Sequence, residues 1–148
     1  MTAATMLKRI NTMRKELGKY EKEIRNYSKL AEEAPCETAR VAYQKWIGYY
    51  RKMIDAKENQ IAEASKKAAA MANNEEREAM IKDMAEDMAK RGFADRGFTT
   101  NGLRYAIEHN MYGFTDRTEH CYSMTIEGKG MVFTSGTLET VARYILNN

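Results

Sequence analysis

Apolar residues recur at alternating steps of four and three through the first half of this chain. Met6, Ile10, Met13, Leu17, Tyr20, Ile24, Tyr27, Ala31 and Ala34 form one ladder; Tyr43, Ile47, Tyr50, Ile54, Lys57, Ile61, Ala64, Ala68 and Met71 form a second. A mean step of three and a half keeps one stripe of a helix turned toward a partner. Pro35 stands between the ladders; it cannot continue a helix, and it biases Ala34 away from helical geometry. The pattern predicts a long antiparallel helical hairpin, a coiled coil, over residues 1–73 with its turn near Pro35. Its first helix starts at Thr2 or Thr5, ends at Glu33 and is roughly 45–50 Å long. The second starts between Cys36 and Thr38 and continues through the alanine-rich stretch Ala62 to Ala72, ending at Asn73-Asn74.

Residues 74–91 predict a connecting helix, acidic at its start (Glu75, Glu76, Glu78) and basic at its end (Lys90, Arg91), with Gly92 as its stop. Ile81, Met84 and Met88 form its apolar stripe, widened by Met80 and Ala85, and the methionines read as core filler. Beyond Gly92 a head over 92–148 is expected in the order α-β-β-α. Thr99 or Thr100 caps a short helix through Leu103, Tyr105, Ile107 and Glu108 to Asn110, and a loop spans Met111 to Thr118. Tyr122, Met124 and Ile126 alternate with polar residues as a strand does, Gly128-Lys129-Gly130 turns, and Met131 to Thr134 returns. Ser135 or Thr137 caps a last helix, Leu138 to Leu146. The fold class is α+β, mainly α.

Charge is divided along the chain. Residues 1–73 hold 15 Lys and Arg against 9 Asp and Glu, while 74–91 and 92–148 are mildly acidic, and the whole carries +3. No apolar run approaches the length of a membrane span, about 20 residues, and the first eight residues lack an apolar signal core. The expectation is a cytoplasmic protein without membrane partners, in which Cys36 and Cys121 stay reduced thiols.

Few residues carry candidate chemistry. Trp46, Tyr49 and Met53 lie beside the second ladder and, with Tyr50 inside it, give that helix a face too wide for one partner; packing against the head would use it, and an oligomer or partner interface is the favoured reading. Lys8, Lys15, Lys22 and Lys29 recur every seven residues, and Lys45, Lys52 and Lys66 follow on the second helix. Such rows can track a phosphate backbone, with Arg91 and Arg96 of the Arg91-Gly92-Phe93 and Arg96-Gly97-Phe98 repeat helping; a solvated helix surface explains them as well. Arg104 and His109, placed on the expected helix, join Asp116 and Arg117 of the following loop as a candidate ligand cleft. His120 and Cys121 are adjacent, but neighbouring strand residues face opposite ways, so no metal site is expected. No cofactor motif and no catalytic constellation stands out, so no enzymatic activity is expected.

In size and layout, a helical stalk with a minimal α+β head, the chain resembles many small proteins of phages and mobile elements. The wide face of the second helix and the small head make the first expectation a non-enzymatic, oligomeric binding protein, with inhibiting or adapting a larger machine as one use. Nucleic-acid binding through the lysine rows is the alternative, and capture of a small ligand or nucleotide by the head a lesser one.

Overall fold

The computed structural model describes residues 2–91 and 95–148. Three helices come first: α1 (Ala3–Glu32), α2 (Glu37–Met71) and α3 (Asn74–Lys90). Strands β1 (Arg96–Phe98), β2 (Arg104–Gly113), β3 (Thr118–Ile126) and β4 (Gly130–Ser135) follow, and α4 (Leu138–Asn147) closes the chain. Gly92, the expected helix stop, and Phe93 of the Arg-Gly-Phe repeat lie outside the described residues.

Helices α1 and α2 pack against each other on either side of the Pro35 turn, which is compatible with the predicted coiled-coil hairpin. Thr2 caps α1 by accepting a hydrogen bond from the Thr5 amide at 3.2 Å, and Pro35 falls in the turn between α1 and α2. Met6, Ile10, Leu17 and Ile24 are buried against Ile54, Ile61 and Ala68 of α2. Lys57, charged at a ladder position, swings out to bond Glu16 of α1 at 2.7 Å. Asn73 and Glu76 exchange side chain-to-backbone bonds at the start of α3, a reciprocal cap that explains why the chain breaks and restarts there.

The four strands form one antiparallel sheet in the order β1-β2-β3-β4. One face carries Tyr105, Ile107, Met124 and Ile126 into a core shared with Val141, Ala142, Ile145 and Leu146 of α4 and Met80, Ile81 and Met84 of α3. Thr99 and Thr100 tie the sheet to the end of α4. Their hydroxyls donate to the carbonyls of Asn148 at 3.1 Å and Leu146 at 2.9 Å, satisfying acceptors that the last turn of a helix leaves open. Arg143 grips Glu78 with two hydrogen bonds and joins α4 to α3.

The head departs from its expected order. Where a helix was expected from Thr99 or Thr100 to Asn110, the chain makes a turn and then β2. Leu103 and Ile107 are four apart, as a helix requires, but Tyr105 between them points the same way, which only a period of two allows. The hydroxyl signal at Thr99 is real, since Thr99 accepts from the Leu103 amide at 3.1 Å; it closes a turn ending on Gly102, whose φ is +81°. Arg96-Gly97-Phe98, read as half of a repeat, is the edge strand β1, and the expected loop over 111–118 shrinks because β2 and β3 pair out to Gly113 and Thr118. Strands β3 and β4, their glycine turn and α4 stand where the sequence placed them.

Gly97 has a steric reason. A Cβ there would lie 2.9 Å from the Tyr105 hydroxyl and 3.1 Å from a carboxylate oxygen of Glu58. Gly97→Ala is expected to push the Tyr105 ring out of its site and to cost about 1–3 kcal/mol in urea unfolding, the range for overpacking. A variant unfolding at the parent's midpoint would show that the site has room.

Candidate functional site

Burial in the hairpin stops abruptly. The last buried residue of α1 is Ile24, the first of α2 is Ile54, and nothing between them is buried. Residues 25–53 are therefore a two-helix arm without a buried residue, its root bordering the head at Arg51. The ladder does not end there; it changes from aliphatic to aromatic. Tyr27 stacks on Trp46 with ring centroids 6.0 Å apart and planes at 11°, and touches Tyr43 and Tyr50 at 6.1 and 6.0 Å. Tyr49 meets Trp46 edge-on at 5.7 Å and Tyr50 at 5.4 Å. Partial burial among these rings and the nearby Glu23 push the Tyr50 phenol above its usual range.

Trp46 remains 49% exposed and Tyr49 51%, with Leu30 and Val41 also exposed nearer the tip. Rings already ordered by mutual stacking lose little freedom on docking, and each still has roughly 100 Å² to bury. Three of the four expected interface residues (Trp46, Tyr49, Tyr50) lie in this patch; Met53 is half-buried at the arm's root. Tyr27 and Tyr43, which sequence reading had assigned to the seam, belong to the patch as well.

A second cluster is buried where the arm's root meets α3. The Arg91 guanidinium donates to Glu21 at 2.9 Å, Glu58 at 3.1 Å and Asp87 at 2.9 Å, and Arg14 lies 3.8 Å from Asp87. Burial pushes the Glu58 carboxyl up to about 7 against the pull of Arg91, and raises Glu21 for the same reason. Burial would lower Arg91, but Glu58, Asp87 and Glu21 together hold it above its ordinary value. The Tyr105 phenol is raised by burial and by Glu58. Every buried side-chain polar atom among the described residues has a partner, which marks a structural joint. Arg91, a candidate nucleic-acid contact in the sequence, is committed to that joint.

The expected ligand cleft does not assemble. Arg104 and His109 are an odd number of residues apart on β2, not on a helix, so they face opposite sides of the sheet. Arg117 sits in the β2–β3 turn bonded to Asp116 and Glu119 and laid over Phe114. His109 stacks on Tyr122 at 4.4 Å and shares a 2.9 Å hydrogen bond with His120, a pairing invisible while His109 was assigned to a helix. Among the described residues no group of three or more His, Cys, Asp or Glu is placed to hold a metal ion. Lys8, Lys15, Lys22, Lys29, Lys45 and Lys52 all stay exposed. Arg96 and Arg104 do meet, beside Arg51 of α2.

No family model matches this sequence, and neither a curated protein nor a solved structure matches it. Among the described residues, no helix is long and apolar enough to cross a membrane.

Proposed function

We propose that this chain is a non-enzymatic binding protein that assembles with a second copy of itself through the aromatic arm, leaving the heads to engage a partner protein as an adaptor or inhibitor of a larger machine. The observation that carries this reading is the ordered but half-exposed ring cluster around Trp46 on an arm with no buried residue. A lone hairpin gains little by stacking aromatic rings in water; two such faces laid together make a four-helix bundle.

The charges on the arm favour an antiparallel pairing. Glu32, Glu33 and Glu37, against Lys29 and Arg40, leave its tip mildly acidic, while Arg25, Arg51 and Lys52 make its root basic. Trp46 lies about 13 Å along α2 from Glu37, near the arm's middle. A twofold axis at that level sets the acidic tip of one arm beside the basic root of the other. On the head, every residue from 111 to 120 is exposed, including Met111, Tyr112 and Phe114, a projecting hairpin suited to contacting another protein.

Light scattering at 50 and 500 mM salt, after nuclease treatment, is expected to give a dimer at both. Trp46→Ala with Tyr49→Ala removes two rings from each arm, each worth about 2–3 kcal/mol of burial, and should raise the dimer Kd more than about a hundredfold. Since the sequence has a single tryptophan, Trp46 emission should shift to the red as the parent is diluted. A strict monomer with concentration-independent emission would end this reading. The exposed lysine rows favour one second reading, nucleic-acid binding; it predicts instead a particle that carries nucleic acid and falls apart at 500 mM salt.

A further inference from the structure

Three arginines surround a hollow of about 130 Å³ at the junction of hairpin and head. Arg51 reaches it from α2, Arg96 from β1 and Arg104 from β2, over a floor that includes the buried Ile54 and Ile24, with Asp55 the one carboxylate in its lining.

These three arginines make no direct side-chain hydrogen bond among the described residues, as the exposed Arg9 and Arg25 also do not; what distinguishes them is that they line one hollow. Elsewhere, Arg77, Arg91, Arg117 and Arg143 spend guanidinium N–H groups on direct hydrogen bonds of 2.5–3.2 Å. Asp55 and Glu127 lie 3.7 Å from Arg104, and Asp95 lies 3.6 Å from Arg96, close enough for attraction and too far for a direct bond. Arg104 is nonetheless held in place, its guanidinium 4.8 Å above the Phe98 ring.

We propose that this hollow binds the phosphate group of a small phosphate monoester. Three guanidinium groups and one carboxylate, Asp55, line the hollow; Asp95 and Glu127 lie outside the lining beside Arg96 and Arg104, so a phosphate dianion binds by drawing the unspent guanidinium donors away from these longer ion pairs. Guanidinium forks match tetrahedral phosphate oxygens in pairs, a geometry that a cluster of ammonium groups does not offer. The volume corresponds to about four water molecules, enough for a phosphate and little more, so the rest of the ligand lies outside. The site unites residues more than fifty apart in sequence, and it lies at the root of the arm, outside the ring cluster around Trp46.

The test is calorimetric titration of the whole protein, and of the Trp46→Ala, Tyr49→Ala variant, with inorganic phosphate, glucose 6-phosphate and adenosine monophosphate at matched ionic strength. Both proteins are expected to bind a monoester with a Kd of about 1 mM or tighter, and Arg51→Gln or Arg96→Gln to weaken binding at least about tenfold. Lys29→Gln, an exposed cation outside the lining, should leave it unchanged. Tighter binding of both monoesters than of inorganic phosphate supports the proposal; a preference for inorganic phosphate overturns the monoester assignment. No heat at 10 mM of any of the three, or equal weakening by Lys29→Gln, overturns the site itself.

Discussion

Arg91→Ala is expected to destabilise this protein by about 3–5 kcal/mol at pH 8, the range for removing one partner of a buried ion pair. For a chain of this length that lowers Tm by roughly 10–15 °C. The guanidinium is the common counterion of Glu21, Glu58 and Asp87, which come from α1, α2 and α3. Without it, the buried Glu21 and Glu58 and the half-buried Asp87 lose their bonded counterion, and Arg14 stands 3.8 Å from Asp87 without a direct bond. The loss should shrink at pH 5, because Glu58 and Glu21, already raised by burial, can then take up protons and shed the uncompensated charge. Arg91→Lys should recover only part of the stability, since a single ammonium cannot present a planar fork to three acceptors. Urea unfolding of the three proteins at pH 5 and 8 measures this. An alanine variant as stable as the parent at pH 8 would show that the joint contributes nothing.

The signal for that joint was in the sequence. Leu17, Glu21 and Ile24 are spaced by four and three, and so are Ile54, Glu58 and Ile61. Each acid thus occupies a position that faces the partner helix, where a solvated carboxylate has no reason to be. Reading the ladders only for apolar residues passed over both. The counterion itself was not legible: Arg91 lies 70 residues from Glu21 and 33 from Glu58, and only the packing of α3 across the hairpin brings it there.

Local periodicity gave the rest unevenly. Long ladders fixed the two hairpin helices, because many turns vote on one period. Strands β3 and β4 and α4 were legible from alternation, a glycine turn and a hydroxyl cap. Strand β2 was not, since Leu103 and Ile107 satisfy a helix as well as a strand, and the deciding influence is pairing with β3. Once β2 was assigned to a helix, the candidate cleft built on Arg104 and His109 could not survive, and the meeting of Arg51, Arg96 and Arg104 could not be foreseen. The end of burial at Ile24 and Ile54 was equally hidden, because the ladder runs on unchanged in spacing while the head's cover stops.

Glu58 should make stability fall as pH rises from about 4.5 to 7. Its carboxyl is held at about 7, where the unfolded chain has it near 4.5. Between those values the folded state binds the extra proton, so raising the pH favours unfolding. The stabilisation is whole below 4.5 and gone above 7, and its size is on the order of 3 kcal/mol. Glu21, also raised by burial, adds to the same slope. Glu78 acts in the opposite sense and elsewhere: its carboxyl is lowered by the bond from Arg143, so its contribution is present above 4.5 and lost on acidification. Glu58→Gln keeps an acceptor for Arg91 and removes the proton. The joint then holds Arg14 and Arg91 against Glu21 and Asp87, in balance at neutral pH. Urea midpoints for parent and variant at pH 5, 6, 7 and 8 should diverge, the parent falling and the glutamine variant staying closer to level. Because both proteins keep His109 and His120, any histidine contribution cancels in the comparison. Parallel profiles would mean that Glu58 is ionised throughout and that Arg91 fully compensates its burial.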